Sequence, residues 1–233
     1  MIFAEGCSFY KIVWIFILGA FLGDVVEMLF CRWRMGKWMS RSSVVWGPFS
    51  IVWGGSIALA TILLYRYKDF SMSFLFIAGT LLGGVFEYFC SMFTEKVFGK
   101  VFWDYSKMKY NLNGRINLVY CMFWGLASVI WFKVVYPIIS GWIEEIPVNI
   151  GVPVTWVLIA FMVCNMLVSC MALVRSDERT KGIEAKCKWQ RIMDKHFSDE
   201  KLQKIYPNAI NVTRKSENDE YQISRKRDAK GAY

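Results

Sequence analysis

Apolar stretches of bilayer length alternate with short charged stretches along the first three quarters of the chain. A helix needs about 20 apolar residues to cross a hydrocarbon core. Five stretches are long enough: residues 9–31, 44–65, 72–93, 115–137 and 151–174. The pattern predicts an all-α, polytopic transmembrane helical bundle. The first stretch lacks a basic start and a small-residue cleavage pattern, so we expect a retained helix rather than a signal peptide.

One short pattern occurs in both the first and the third of these stretches. The segments Gly19 to Glu27 (GAFLGDVVE) and Gly79 to Glu87 (GTLLGGVFE) are identical at five of nine positions. Two glycines and a glutamate recur at a spacing of four, which places them on one face of a helix. Glycines at this spacing let membrane helices approach closely, so a packing role is expected for Gly19, Gly23, Gly79 and Gly83.

The repeated pattern divides the predicted helices into two hairpins. Repeat A spans residues 9–65, repeat B spans 72–137, and the helix at 151–174 has no counterpart. A second repeated motif supports this division, because Trp53-Gly54 lies in the second helix of the first hairpin and Trp124-Gly125 lies in the second helix of the other. The pattern therefore predicts two parallel hairpin repeats, an arrangement known from transporters.

Basic residues are concentrated on one side of the predicted helices. Four follow the first helix, five lie in the loop after the third, and fifteen lie from Arg175 onward. The opposite flanks carry Lys11, Arg66 and Lys68. By the positive-inside rule, this asymmetry predicts an external N-terminus and a cytoplasmic C-terminus. Since the loops and tail account for the net charge of +9, nucleic acid is not an expected partner.

Two acids, Glu27 and Glu87, end the repeated pattern inside apolar stretches. A charged side chain near the centre of a membrane helix costs at least about 2.5–3.5 kcal/mol, which favours a functional reason for keeping it. Both glutamates are also near enough to the cytoplasmic interface to reach it with their side chains. Both interpretations stay open at the level of the sequence.

The loop between the third and fourth helices holds the densest polar motif, WDYS at 103–106 followed by NLNGRIN at 111–117. Arg115 opens the fourth helix, where the helix dipole disfavours a cation, so a carboxylate partner is expected among Glu87, Glu95 and Asp104. We predict one polar cluster in the cytoplasmic third that binds substrate or stabilises the fold, formed by Glu27, Glu87, Asp104, Asn111, Arg115 and Asn117.

A break is predicted near the start of the second helix, at Gly47 and Pro48, where freed backbone groups need protein or water partners. Residues 138–150 are expected to form an interfacial turn on the external side. The only histidine, His196, lies in the tail, so neither a metal nor another cofactor is expected in the membrane.

The segment 175–233 is predicted to be a basic cytoplasmic tail. Apolar residues alternate with lysine and arginine between Ile183 and Phe197, which predicts an amphipathic helix lying on anionic lipid headgroups. The composition beyond Asn208 is polar and predicts a disordered end.

Several of these motifs resemble the bacterial ABC-transporter type IV family, also called CmpB-like. The resemblance covers roughly residues 10–210 and rests on the glycine-glutamate helix, Trp46-Gly-Pro48, Trp103-Asp-Tyr-Ser106, residues 111–118 and Tyr206-Pro-Asn208. It implies a multi-pass inner-membrane permease. The sequence has no G-x-x-x-x-G-K-[ST] loop, so this role requires a separate ATPase subunit, and the small number of helices favours a homo-oligomer.

We therefore expect a permease-like membrane subunit with a buried acidic site near the cytoplasmic face. Two other classes stay open. One is a membrane-embedded enzyme acting on a lipid or lipid-linked substrate, with a carboxylate as base and Arg115 holding a phosphate. The other is a non-catalytic scaffold or sensor that uses the basic tail. The sequence contains no nucleophile elbow, zincin helix or kinase motifs, so catalysis is not expected.

Overall fold

A computed structural model describes residues 2–212, which form a helical bundle with very little sheet. In chain order the helices are α1 (Phe9–Met35), α2 (Ile51–Leu64), α3 (Met72–Phe98), α4 (Leu118–Ile130), α5 (Tyr136–Glu144), α6 (Val148–Thr180), α7 (Lys188–His196) and α8 (Asp199–Ile205). The strands are β1 (Lys100–Val101), β2 (Asn111–Leu112), β3 (Ile116–Asn117) and β4 (Ile210–Asn211). The all-α bundle predicted from the apolar stretches is confirmed.

Short polar residues and glycines set the ends of the long helices. Ser8 and Ser71 accept a hydrogen bond from the first turn of α1 and α3, and Asn117 does so for α4. The last turns of α1 and α3 end at Gly36 and Gly99, with φ of +69° and +58°. Glycine adopts this left-handed conformation without the steric cost of a Cβ.

Within residues 2–212, four helical segments are long and apolar enough to cross a membrane. Three of them are α1, α3 and α6. The fourth is Leu118–Glu144, in which α4 and α5 are joined by a π-helical turn over Trp131–Val135. The interfacial turn predicted for 138–150 is therefore wrong, because α5 continues to Glu144 and α6 begins at Val148.

The second apolar stretch differs from its prediction. Helix α2 begins at Ile51, seven residues after the predicted start at 44, and its 14 residues rise about 21 Å, less than a hydrocarbon core of about 30 Å. Residues 42–50 instead form an irregular segment, which we call the entry loop. Gly47 lies in this loop with φ +80°, so Gly47 and Pro48 precede α2 rather than interrupting it.

Helix α1 packs along α2, and α3 packs along α4, through the repeated glycines. A Cβ placed on Gly23 would lie 2.3 Å from Trp53 Cβ, and one on Gly83 would lie 2.4 Å from Trp124 Cβ. Gly19 faces Ile57 and Gly79 faces Ser128 in the same way. The four glycines thus lie where two helices contact each other closely, as their spacing of four residues predicts.

Residues 176–212 pack back onto the bundle. Helix α6 continues through Arg175 to Thr180 without a break, and the apolar side chains of α7 and α8 join one buried cluster: Phe98, Ala172, Leu173, Met193, Phe197, Leu202 and Tyr206. Of the apolar residues predicted to face lipid, Met193 and Phe197 therefore pack on the protein, whereas Ile183, Trp189 and Ile192 are exposed. Strand β4 pairs antiparallel with β1, whereas the predicted disordered end from residue 213 onward lies outside the described residues.

An ion-pair clamp holds α7 and α8 against the end of α6. Arg175 is 3% exposed and donates two hydrogen bonds to the Asp194 carboxylate, of 2.9 and 3.0 Å. Arg179 pairs with both Asp194 and Asp199. The Arg175 and Arg179 guanidinium groups hold the pKa of Asp194 below its usual range, and Arg179 does the same for Asp199.

Replacing Asp194 by asparagine is expected to release α7, because the clamp loses its shared carboxylate. Hydrogen exchange of the α7 amides should become faster than in the wild-type chain. A carboxylate with a lowered pKa stabilises the fold above its unfolded pKa of about 3.9, so the same release is expected in the wild type as the pH falls below that value. Glu184→Gln, at an exposed site on the same segment, is the control and should leave exchange unchanged. Equal exchange in both variants would show that apolar packing alone holds α7.

Candidate functional site

A cavity of about 270 Å³ lies between the two hairpins, near the end of the bundle where α7 and α8 pack. Glu27 from α1 and Glu87 from α3 both line it, as does Arg41 from the loop after α1. Much of the remaining wall is aromatic, contributed by Trp53, Phe93, Phe98, Phe102, Trp103, Tyr105, Trp124 and Tyr206. Two acids from matching positions of the repeated pattern thus share one largely apolar cavity.

Each glutamate is held by a tryptophan from the second helix of its own hairpin. Trp53 Nε1 donates to Glu27 Oε1 at 2.7 Å, and Trp124 Nε1 donates to Glu87 Oε2 at 2.9 Å. These are the same two tryptophans that pack on Gly23 and Gly83. The glycine therefore leaves the space in which the indole lies, and the indole then fixes the carboxylate one helical turn further along.

Tyr105 adds a second donor to Glu87. Its hydroxyl donates to Glu87 Oε1 at 2.9 Å, while its ring stacks on Tyr120 with centroids 4.7 Å apart. Burial raises the pKa of Tyr105, so the phenol stays protonated and able to donate. Glu87 itself is only 6% exposed, and both of its oxygens are fixed by neutral donors.

The two tryptophans also contact each other across the boundary between the hairpins. Their ring centroids are 5.1 Å apart at an interplanar angle of 49°. Both rings line a second, apolar cavity of about 390 Å³ that runs along the glycine faces of the hairpins. The tryptophan pair therefore separates the cavity that contains the acids from an apolar space between the same helices.

The entry loop is attached to α6, the helix outside the predicted repeat. Asn165 is fully buried; its Oδ1 accepts from Trp46 N at 3.1 Å and its Nδ2 donates to Trp46 O at 2.7 Å. Ser169 Oγ accepts from Val45 N at 2.9 Å. In a helix these backbone N–H and C=O groups would pair within the helix itself. Irregular backbone within a membrane needs other hydrogen-bond partners, and the side chains of α6 provide them here.

Arg41 is positioned by contacts on three sides. Its backbone N–H donates to Asp24, a fully buried carboxylate of α1 that also accepts from Ser40. Its guanidinium lies 3.7 Å from Glu27 Oε2. With the Asn208 amide oxygen turned towards it, the guanidinium also donates to that oxygen. The short motif Tyr206-Pro-Asn208 thus forms part of the cavity wall.

The other members of the predicted polar cluster lie in the loop before α4 rather than at the cavity. Asn111 bonds to loop backbone at Met108 and Gly114, and Asn117 bonds to Lys109 in the loop and to Val119 in the first turn of α4. Asp104 accepts from Ser106 N. Arg115 forms its ion pair with Glu95 at 2.5 Å and lies over the Tyr88 ring. Of the expected carboxylate partners for Arg115, the structure thus pairs it with Glu95.

Sequence reasoning missed several residues that position this site. The glutamates are held by Trp53, Trp124 and Tyr105. In the sequence, the two tryptophans stood out only because a Trp-Gly motif occurs in both hairpins. Asp24 lies inside an apolar stretch and Asn165 inside another, and a fully buried polar residue at such a position is itself a signal of a specific partner.

Comparison with known proteins agrees with the resemblance carried by the motifs. A family model described as Putative ABC-transporter type IV matches residues 14–170, which include both glutamates, both tryptophans and Asn165. Comparisons with curated proteins and with solved structures find no match. Because the matched residues cover two thirds of the chain, the chain belongs to the Putative ABC-transporter type IV family.

Proposed function

We propose that this chain is a permease-like subunit of the bacterial inner membrane that binds a small solute in the cavity between its hairpins. The observation that carries the proposal is the pairing of Glu27 with Trp53 and of Glu87 with Trp124 at one cavity. Glu87 is buried and Glu27 is half-buried, and acids within membrane helices are costly to keep without a ligand or a structural use.

In this proposal the two hairpins are parallel copies of one repeat. The same contacts occur in both: glycine against tryptophan, and tryptophan against glutamate. Repeats that meet at a site can rock against each other and expose it alternately on the two sides of the membrane. The contact between Trp53 and Trp124 is the layer that such a motion would open.

The proposal places the tail and the cavity on the cytoplasmic side, following the distribution of basic residues. It also assigns the energy source to a partner, because the sequence has no phosphate-binding loop of its own. A separate ATPase subunit, bound at the cytoplasmic end, fits this assignment.

Accessibility of Cys90 from both sides of the membrane tests the proposal. Cys90 lines the cavity, and Cys187 is exposed in the segment between α6 and α7. Right-side-out and inside-out vesicles containing the full chain would be treated with a membrane-impermeant thiol reagent, and labelling would be located by peptide mass spectrometry. A permease is expected to label at Cys90 from both sides, while Cys187 labels only from the cytoplasmic side. Labelling of Cys90 from one side alone would contradict transport and favour a one-sided enzyme or sensor.

A further inference from the structure

We propose that the solute of this cavity is a small organic cation with an apolar body, such as a protonated aryl-alkyl amine. The inference rests on the proposed function and adds the chemical class of the ligand. It is carried by three features of the same cavity: an acid with no cation at ion-pair distance within residues 2–212, aromatic walls, and a limited volume.

The charge of the cavity favours a cation. Within residues 2–212, no lysine or arginine lies at ion-pair distance from Glu87, whose oxygens accept only from the Trp124 indole and the Tyr105 hydroxyl. A hydrogen bond from a neutral donor orients a carboxylate but leaves its charge in place. Each carboxylate oxygen also has a further lone pair with which to accept from a ligand.

Arg41 compensates Glu27 only in part. The guanidinium nitrogen is 3.7 Å from Glu27 Oε2, beyond hydrogen-bonding distance, and its other contact is the neutral amide of Asn208. The lining of the cavity thus includes two carboxylates and one guanidinium. A monovalent cation would balance the remaining charge, whereas an anion would be repelled by both acids at short range.

The walls of the cavity favour an organic cation over a metal ion. The faces of aromatic rings carry partial negative charge and attract ammonium groups, most strongly for tryptophan, and Trp53, Trp103 and Trp124 all contribute. A divalent metal ion would need several oxygen or nitrogen ligands in close geometry. The described part of the chain holds no group of three or more histidine, cysteine or acidic residues placed for one.

The volume limits the size of the ligand. The cavity has a volume of about 270 Å³, just below the range of about 300–1,000 Å³ that is typical of sites for drug-sized ligands. A single aromatic ring with a short aminoalkyl chain fits this limit.

Protection of Cys90 by three matched probes tests the inference. The purified full-length protein would be alkylated with N-ethylmaleimide in the presence of 2-phenylethylammonium, 2-phenylethanol or phenylacetate, which share one ring and nearly the same length. The ammonium is expected to slow alkylation of Cys90 at a concentration at least tenfold lower than the alcohol, and phenylacetate is expected to give no protection. Cys187 serves as the internal reference and should react at one rate throughout.

Variants of the charged residues make the test specific. Glu87→Gln keeps the shape of the side chain and should reduce the advantage of the ammonium over the alcohol at least tenfold. Arg41→Gln removes the competing cation and should increase that advantage, so the inference stays testable even if the first variant fails to fold. Glu145→Gln, exposed on the far side of the bundle, should change nothing.

The outcomes separate this inference from the proposed function. Equal protection by ammonium and alcohol, or stronger protection by phenylacetate, would overturn the cation site even if Cys90 is accessible from both membrane sides. A clear preference for the ammonium with access from one side only would support the cation site and contradict transport.

Discussion

Replacing Gly83 by alanine is expected to lower the free energy of unfolding by about 1–3 kcal/mol, the usual cost of overpacking a well-packed contact. The new Cβ would lie 2.4 Å from Trp124 Cβ and 2.5 Å from Trp124 Cγ, which forces the helices or the indole to move. The indole has little freedom to do so, because its Nε1 bonds Glu87 and its ring contacts Trp53. Thermal unfolding in detergent, followed by tryptophan fluorescence, measures the loss.

Gly141→Ala is the matched control for this variant. Gly141 also lies within a helix, but nothing lies within 4 Å of a Cβ placed there. The substitution should leave the unfolding temperature unchanged or raise it slightly, since alanine favours the helix over glycine by about 1 kcal/mol. If Gly83→Ala unfolds at the wild-type temperature as well, α3 and α4 are packed more loosely than the contact distances indicate.

The glycine faces could be predicted because helical spacing is a local property of the sequence. A spacing of four residues fixes which side chains share a face, so Gly23 and Glu27 were correctly placed together. Their partner depends instead on where α2 crosses α1, which no local pattern determines. The indole of Trp53 contacts Gly23 and bonds Glu27. From the sequence, Trp53 could be recognised only because a matching tryptophan, Trp124, occurs in the second hairpin.

The polar loop before α4 shows why residue type alone assigned too many residues to the predicted polar cluster. Short polar side chains serve equally well to bind a ligand or to bond nearby backbone in turns. Asn111 and Asn117 do the latter, on either side of the turn that joins β2 and β3. The Asn113-Gly114 pair is typical of a hairpin turn, and this signal would have assigned the loop a structural role from the sequence.

Helix α7 illustrates a second limit of prediction from the sequence. An amphipathic pattern predicts that one face of a helix is buried, but lipid and protein satisfy that requirement equally. Met193 and Phe197 of this region pack on the end of α6, and the deciding feature is the buried pairing of Arg175 with Asp194. Nineteen residues separate these partners, so their contact could not be inferred from helical periodicity.

A side chain of α6 bonds the backbone of the entry loop from outside the first hairpin. Asn165 pairs with both the N–H and the C=O of Trp46, and its side chain is fully buried. The loop in turn carries Ser42, Ser43 and Val44 into the cavity wall. This contact fixes the first hairpin to α6, a helix that has no equivalent in the predicted duplication.

Replacing Asn165 by leucine is therefore expected to lower the free energy of unfolding by about 1–3 kcal/mol, because the buried amide that pairs with both the N–H and the C=O of Trp46 is lost. The entry loop should also exchange its amide hydrogens faster, which hydrogen exchange of residues 42–50 measures alongside thermal unfolding. Cys164→Leu places the same side chain at the exposed neighbouring position and should leave both measurements unchanged. Faster loop exchange in both variants would show that the loop responds to general disturbance of α6 rather than to the loss of the Asn165 amide.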